Sequence, residues 1–250
     1  MDIQSGLPSD PSGWETLELL AGAPAFNRWI FDRISLFCRG DVLEAGSGIG
    51  NISAALLNHH FKLTVSDMRA EYCRLLKDKY SGNPDLQAVH QLDLSLPDFE
   101  TRYPGLLKGF DTVIALNVVE HIQPDALAIR NAAKLLRDKG NLIILVPAGR
   151  YLFNRFDREL GHYRRYSRKT VSSLLANEGL KVLQSAYFNF AGIPGWWFSG
   201  SVLRKRIIPG SQIKIFERLV PVFRIIDRCT KQIAGLSVIA VAAKQSMRND

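Results

Sequence analysis

The sequence predicts an α/β fold: a seven-stranded, mostly parallel sheet with helices on both faces and a helical insertion before the last strand. Three observations carry this. Apolar, β-branched segments of strand length alternate with segments of helical spacing at least four times before residue 148, the rhythm of a parallel sheet. A glycine-rich turn, Gly46 to Gly50, follows the first strand directly. Two further apolar segments, 180–188 and 236–243, complete the sheet and are separated by an aromatic, basic and helical stretch (189–235). With 250 residues, 46% of them hydrophobic, the chain suffices for one packed domain over 1–250.

Residues 1–40 read as a helical arm or cap. Within it, 1–13 are rich in Pro, Ser, Gly and Asp and are expected to be loose. Residues 14–38 are helices broken near Gly22–Pro24, with Phe26, Trp29, Ile30, Arg33, Ile34 and Phe37 on helical spacing. Residues 41–148 form the core. Asp41 to Ala45 is the first strand, and Leu56 and Leu57 belong to the helix beyond the glycines. Lys62 to Asp67 is the second strand, followed by a charged helix through Tyr80; Leu86 to Leu92 is the third. Asp111 to Asn117 is β-branched and apolar, as suits a strand covered on both faces. Helical spacing from Asp125 to Asp138 places Pro124 in the first turn and stops at Gly140. Asn141 to Val146 is the fifth strand, ended by Pro147. Residues 149–168 are basic and aromatic with weak periodicity, and 169–179 form a helix stopped by Gly179.

Composition narrows the function classes. Three cysteines (Cys38, Cys73, Cys229) form no CxxC pair, which argues against a disulfide framework and for a reducing, cytoplasmic setting. No early segment resembles a secretion signal, and no apolar run is long enough to span a bilayer. The net charge of +8 belongs to the C-terminal part, because residues 151–250 carry 17 Lys and Arg against 6 Asp and Glu. That asymmetry suits an anionic partner: a phosphorylated substrate, a membrane surface or nucleic acid. A solvated basic face explains it equally well.

The sharpest motif is Val42-Leu-Glu-Ala-Gly-Ser-Gly-Ile-Gly-Asn51, a strand that turns through glycines into a helix. Such a turn lets a ligand approach the backbone and offers it free N–H groups at a helix start. A dinucleotide fingerprint would need glycine where Asn51 stands. The pattern E-x-G-x-G-x-G instead resembles that of the class I S-adenosylmethionine-dependent methyltransferases. Asp67 at the end of the second strand, Asp93 at the end of the third, and Phe110-Asp-Thr-Val-Ile-Ala-Leu-Asn-Val-Val-Glu-His-Ile122 match that family's further motifs in order. The resemblance is close over 26–148 and holds in outline over 168–188 and 236–244. It implies a Rossmann-like fold and S-adenosyl-L-methionine as cofactor. The loop Gly46, Ser47, Gly48, Gly50 and Asn51 would hold the methionine portion, with Glu44 beside it. Asp67 and Met68 would take the ribose, Asp93 and Leu94 the adenine, and Asn117 and Val118 would pass close to the sulfonium.

Methyl transfer needs alignment and exclusion of water, and an oxygen or nitrogen acceptor can need a base. His121, just past the fourth strand, is the first candidate; orienting a loop is its structural alternative. Glu120 and His121 have no spaced His/Asp cluster around them, so no metal is expected. The segment Asp157-Arg-Glu-Leu-Gly-His-Tyr-Arg-Arg-Tyr-Ser167 reads as a substrate lid within 149–168. His162 is the alternative base there, and Tyr163, Arg164, Arg165 and Tyr166 are candidate substrate contacts. The other outcome is a surface turn whose arginines pair with Asp157 and Glu159. Its Gly-His-Tyr-Arg-Arg-Tyr core resembles a branch of the family associated with cell-surface glycans and natural products, as does Phe26-Asn-Arg-Trp-Ile30, which adds Trp29 to the candidates, although core packing is its commoner role.

In the insertion, Phe188, Phe190, Ile193, Trp196, Trp197 and Phe198 crowd one stretch, with Arg204-Lys-Arg206 after them. Trp196 joins the candidate substrate contacts. Phe216, Leu219, Val220, Phe223, Ile226 and Ile233 mark one helical stripe, and Pro221 is expected to kink or restart that helix. The stretch suits a helical cap, an oligomer face, or a peripheral contact with the inner membrane surface. The reading is an O-methyltransferase acting on a small-molecule, glycan or lipid-linked acceptor. An RNA methyltransferase and a non-catalytic cofactor-binding protein are the alternatives; nucleic acid is disfavoured because the fourth motif lacks the Pro-Pro-aromatic signature of base aminomethylases.

Overall fold

The computed structural model describes residues 10–207, 209–230 and 233–246. The strands are β1 (Asp41–Ala45), β2 (Lys62–Asp67), β3 (Leu86–Gln91), β4 (Phe110–Leu116), β5 (Leu136–Pro147), β6 (Leu180–Phe188) and β7 (Ser237–Lys244). They form one sheet in the order β3-β2-β1-β4-β5-β7-β6. β1 through β5 run parallel, and β7 inserts antiparallel between β5 and β6, with Asn141 opposite Ala243. The expected mostly parallel, seven-stranded sheet is what forms.

Alternation along the central strands explains the layers. Val42, Ile114, Ile143 and Val241 face one side, and Leu43, Val113, Leu142 and Ala240 the other, all fully buried. The first side is covered by α2 (Pro24–Ile34), α3 (Asn51–Asn58), α4 (Ala70–Lys79) and α10 (Gly210–Thr230). The second is covered by α6 (Asp125–Leu135) and α8 (Arg168–Asn177), with the single turn of α5 (Phe99–Arg102). α1 (Pro11–Ala21), α7 (Arg155–Glu159) and α9 (Gly192–Trp197) lie outside these layers in sequence and complete the ends of the domain.

Several expected boundaries move. Residues 11–13, expected in a loose arm, open α1, because Asp10 caps the helix by accepting from the Gly13 N–H at 2.9 Å and Pro11 starts it; residues 1–9 of that expectation lie outside the described residues. Pro124 is the residue before α6 rather than part of its first turn. α6 also ends early, at Leu135. Leu136 is fully buried, pairs with Phe110 and begins β5, and Lys139 makes the turn in a left-handed conformation (φ 63°) that a continuing helix forbids. Pro221 lies inside a continuous 21-residue α10. The side of α10 that packs inward is Phe216, Val220, Phe223 and Asp227, while Leu219 and Ile226 of the expected stripe are exposed. Lys231, Gln232 and Ile208 of the insertion lie outside the described residues.

The strand order sets the site. Adjacent strands β3, β2, β1 and β4 run in parallel, so their carboxyl ends bring Asp93, Asp67, the glycine turn and Asn117 to one edge. The order reverses between β1 and β4, which is where ligands enter open α/β sheets.

Candidate active site

The glycine turn is held by the neighbouring strand. The N–H groups of Gly46 and Ser47 both donate to the Ser66 carbonyl at 2.8 Å. Gly46 has φ 74°, and a Cβ there would overlap Val118 Cγ2. Glycine is therefore required twice at this position, once by the backbone and once by the close approach of the segment after β4. Gly50 (φ 83°) starts α3, and Tyr80 Oη donates to its carbonyl at 2.7 Å. Asp67 is buried, accepts from the Gly48 N–H through Oδ2 and from the Arg69 N–H through Oδ1, each at 3.0 Å. Burial raises its pKa despite those two bonds.

Glu44 does not open onto the cleft. It is 4% exposed, and its carboxylate accepts from Ser53 Oγ on α3, so it braces the turn from behind. Burial pushes its pKa from 4.5 up to about 7. A raised carboxyl pKa favours the fold below the ordinary value, and that contribution is lost as pH climbs through the folded one. The thermal midpoint of the ligand-free protein is thus expected to fall between pH 5 and 8, by about 5 °C from this group. Glu44→Gln should flatten that slope in differential scanning fluorimetry, and an unchanged slope in the variant would remove the assignment.

Asp93 turns its Oδ1 to the N–H and Oγ of Ser95 at 2.8 and 2.6 Å, and its own N–H donates to Tyr103 Oη at 3.1 Å. Leu94 is buried next to it, and Met68 is 53% exposed above β2. Asn117 adopts φ 54° and donates its N–H to the Leu145 carbonyl at 2.8 Å, which fixes the bend after β4. α1 crosses the turn from outside. Asn51 Nδ2 donates to the Leu17 carbonyl at 2.9 Å, the Leu17 side chain lies against Gly48, Asp10 pairs with Arg69 at 3.0 Å, and Trp14 stacks on Tyr72 at 5.8 Å.

Beside the turn, the short helical turn after β4 carries Glu120 and His121, and the lid brings His162 to them. His121 stands at the rim, open to solvent on one side with protein crowding the other. That confinement and the adjacent His162, 4.7 Å away between ring centres, push its pKa down to about 4, so the ring is neutral at physiological pH. Glu120 is fully buried, neither carboxylate oxygen has a hydrogen-bond partner, and burial pushes its pKa up to about 8. His162 Nδ1 lies 2.9 Å from Asp157 Oδ1, and its Nε2 lies 4.0 Å from Glu120 Oε1. Asp157 also accepts from Arg165 Nε at 2.8 Å and from the Asn154 N–H at 2.9 Å. Burial opposes its ionisation, but the bonds from His162, Arg165 and Asn154 outweigh it and hold its pKa below the ordinary value.

Residues 22–185 match the family model described as a methyltransferase domain. The chain belongs to that family. Its cofactor is S-adenosyl-L-methionine. The chain is 31% identical over 94 residues to Probable ribosomal RNA small subunit methyltransferase A of Methanococcoides burtonii, covering 37% of this chain and 35% of the relative. It is 23% identical over 154 residues to Ubiquinone biosynthesis O-methyltransferase of Xanthomonas euvesicatoria, covering 56% of this chain and 62% of the relative. The chain thus spans less than two thirds of the length of these curated relatives. The fold is similar to that of an S-adenosylmethionine-dependent methyltransferase from Archaeoglobus fulgidus, with TM-score 0.59, 14% identity, and coverage of 88% of this chain and 94% of that one.

In this methyltransferase domain, the sequence-predicted residues divide by place. Gly46, Ser47, Gly48, Gly50, Asn51, Asp67, Met68, Asp93, Leu94, Asn117 and Val118 gather at one sheet edge, with Glu44 behind them. His121 and His162 meet at that edge. Four of the candidate substrate contacts are engaged elsewhere. Trp29 is 2% exposed and packs on Phe188 at 4.5 Å, leaving no ring face for an acceptor. Arg165 is buried, bonded to Asp157 and the Ala148 carbonyl, and its guanidinium lies 4.6 Å over the Trp196 ring. Trp196 donates to the Leu152 carbonyl at 3.2 Å, so its polar edge is used within the lid. Tyr166 is buried and donates to Asp125 at 3.0 Å. Arg164 pairs with Asp125 at 2.7 Å but keeps part of its side chain in solvent, and Tyr163 is 55% exposed. Of the alternative, a surface turn whose arginines pair with Asp157 and Glu159, the Arg165–Asp157 pair forms but is buried, while Arg164 pairs with Asp125 and Glu159 with Arg155 from outside the segment. Asp157 was legible as the last residue of an Asn154-x-x-Asp capping box, a local signal that says nothing of His162.

Proposed function

We propose that this chain transfers the methyl group of S-adenosylmethionine to a hydroxyl oxygen of a small-molecule, glycan or lipid-linked acceptor. The observation that supports this reading is the polar pair His121 and His162 beside the Gly46–Gly50 turn, on the side where the fourth motif of the family borders the sulfonium. An imidazole exposed at the rim offers a nitrogen lone pair to the proton that an attacking hydroxyl gives up. In this reading Asp67 takes the ribose hydroxyls, Asp93 and Leu94 the adenine, and the turn the methionine end. Tyr163 and Arg164, the candidate lid contacts that keep side-chain surface in solvent, border the acceptor in this reading. The test is methyl incorporation from labelled cofactor across hydroxylated acceptors, including lipid-linked glycans. Incorporation into generic RNA instead would favour the activity named for the archaeal relative, and cofactor binding without turnover would favour a non-catalytic role.

A surface feature bears on the acceptor. Ile215, Leu219, Val222 and Ile225 expose an apolar band along α10, and Trp197, Phe198, Val202 and Leu203 expose more just before it. Arg204, Lys205, Arg206, Lys214, Arg218 and Arg228 surround this band and are exposed. Apolar side chains ringed by cations fit an anionic bilayer surface, where a lipid-linked acceptor resides. No helix among the described residues is long and apolar enough to cross a membrane. The protein is expected to float with phosphatidylglycerol vesicles at low salt and not with phosphatidylcholine vesicles. The double variant Val222→Glu/Ile225→Glu should lose flotation; wild-type protein that stays at the bottom of the gradient with both vesicles removes the proposal.

A further inference from the structure

The buried carboxylate of Glu120 is the least explained group in the protein. Both of its oxygens lack a hydrogen-bond partner, and the side chain is wholly removed from solvent. A buried polar group without a partner is costly, and one in a native fold marks a missing water, ion or ligand. Its neighbours identify which. The ligand atoms of Glu120, His121 and His162 all lie within 4.8 Å of one another, and His162 Nε2 lies 4.0 Å from Glu120 Oε1. A tetrahedral ion bound at about 2.0–2.1 Å holds its ligands about 3.3 Å apart, so a contraction of about 1 Å completes the site.

The other nitrogen of His162 supplies a second, independent observation. Nδ1 faces the Asp157 carboxylate at 2.9 Å, which fixes the tautomer and leaves Nε2 as a lone-pair donor aimed at Glu120. A carboxylate behind the non-ligating nitrogen is the usual support of a metal-binding histidine. Asp157 is itself locked by Arg165 and the Asn154 N–H. The chain thus holds two imidazoles, one buried carboxylate and one supporting carboxylate in a single cluster.

We propose that Glu120, His121 and His162 bind one divalent first-row transition-metal ion. Two imidazoles and one carboxylate suit zinc, cobalt, iron or manganese, whereas magnesium and calcium prefer all-oxygen shells. Because His121 stands at the rim, the remaining coordination position faces the cleft. If the methyl acceptor binds there, as the proposed O-methylation implies, its hydroxyl oxygen would be the fourth ligand and would lose its proton to solvent, with His121 then a ligand rather than the base; the ion site itself does not rest on that reading.

The experiment measures metal content and affinity on the full chain. Protein dialysed against EDTA and reloaded with Co2+ is expected to bind one ion per chain and to show the visible absorption of a ligand-field band. Zn2+ should displace it at one equivalent. His121→Ala, at an open position that folding does not need, should weaken Co2+ at least tenfold, and Glu120→Gln and His162→Ala should do the same. If Glu120→Gln fails to fold, His121→Ala decides alone. Wild-type protein that takes up no stoichiometric ion overturns the site, as does His121→Ala with unchanged affinity. Calorimetry with S-adenosylhomocysteine runs in parallel. Cofactor binding without metal uptake refutes only this site, and metal uptake without cofactor binding refutes only the methyl-transfer reading.

Discussion

Asp157→Ala is expected to cost about 3–5 kcal/mol of folding stability. The Asp157 and Arg165 side chains are 0% and 1% exposed and meet at 2.8 Å. Removing the acid leaves the guanidinium buried with the Ala148 carbonyl and the Trp196 ring in contact, and only the Glu120 carboxyl group, whose own burial disfavours its charge, nearby. The same change frees His162 Nδ1 and the Asn154 N–H, which starts α7 through its capping box. An uncompensated buried charge is far more costly than a lost surface pair, which is why this substitution outweighs Arg130→Ala at the exposed pair with Glu178. Urea denaturation followed by far-ultraviolet circular dichroism measures the difference. A loss under about 1 kcal/mol would show that water reaches Arg165 and that the lid is not built on this pair.

Asp67→Ala is expected to weaken binding of S-adenosylhomocysteine by a hundredfold or more. Two effects combine. In the proposed site the carboxylate accepts ribose hydroxyls, and charge-assisted bonds of that kind contribute about 1.5–3 kcal/mol each. It also tethers the Gly48 N–H at 3.0 Å, so its loss releases the glycine turn, the proposed seat of the methionine end. Asp67→Asn retains a carbonyl oxygen for one of these partners and should fall between the wild type and Ala. Titration calorimetry reads both. An Asp67→Ala protein that binds within threefold of the wild type would place the cofactor elsewhere.

The glycine turn, the seven strands and the acids that end β2 and β3 were legible because each rests on local rules: alternation, turn chemistry and spacing. Three things were not. The start of β5 was hidden because Leu136 satisfies helical spacing as well as strand burial, and only its pairing with Phe110 decides between them. The inward side of α10 was misjudged because apolar residues cover more than one face of it; Leu219 and Ile226 match the period of Phe216 and Phe223 closely enough to be taken together, yet α2 meets only the latter. The grouping of Glu120 and His121 with His162 was invisible because it is made across the fold. The Tyr163 N–H donates to the Glu120 carbonyl at 2.9 Å, a bond between lid and sheet edge that no spacing reveals. Arg165 shows the same limit from the other direction, since a basic pair in a loop looks like an anion receptor until one member is found pointing inward.

α1 contributes no fully buried residue. Its hold on the domain is a handful of contacts, among them amide bonds from Asn51 to the Leu17 carbonyl and from Asn27 to the Leu20 carbonyl, one ion pair, one ring stack, the Leu17 methyls on Gly48 and Leu19 beside Gly210. Elements so thinly attached detach at a small fraction of the free energy of global unfolding. Leu17 lies against Gly48 of the turn, so a cofactor held there, as proposed, is expected to leave only when this helix opens and reseats. The pace of turnover would then be set at the amino end of the chain, by a hinge at Gly22–Pro24, rather than at the reacting atoms.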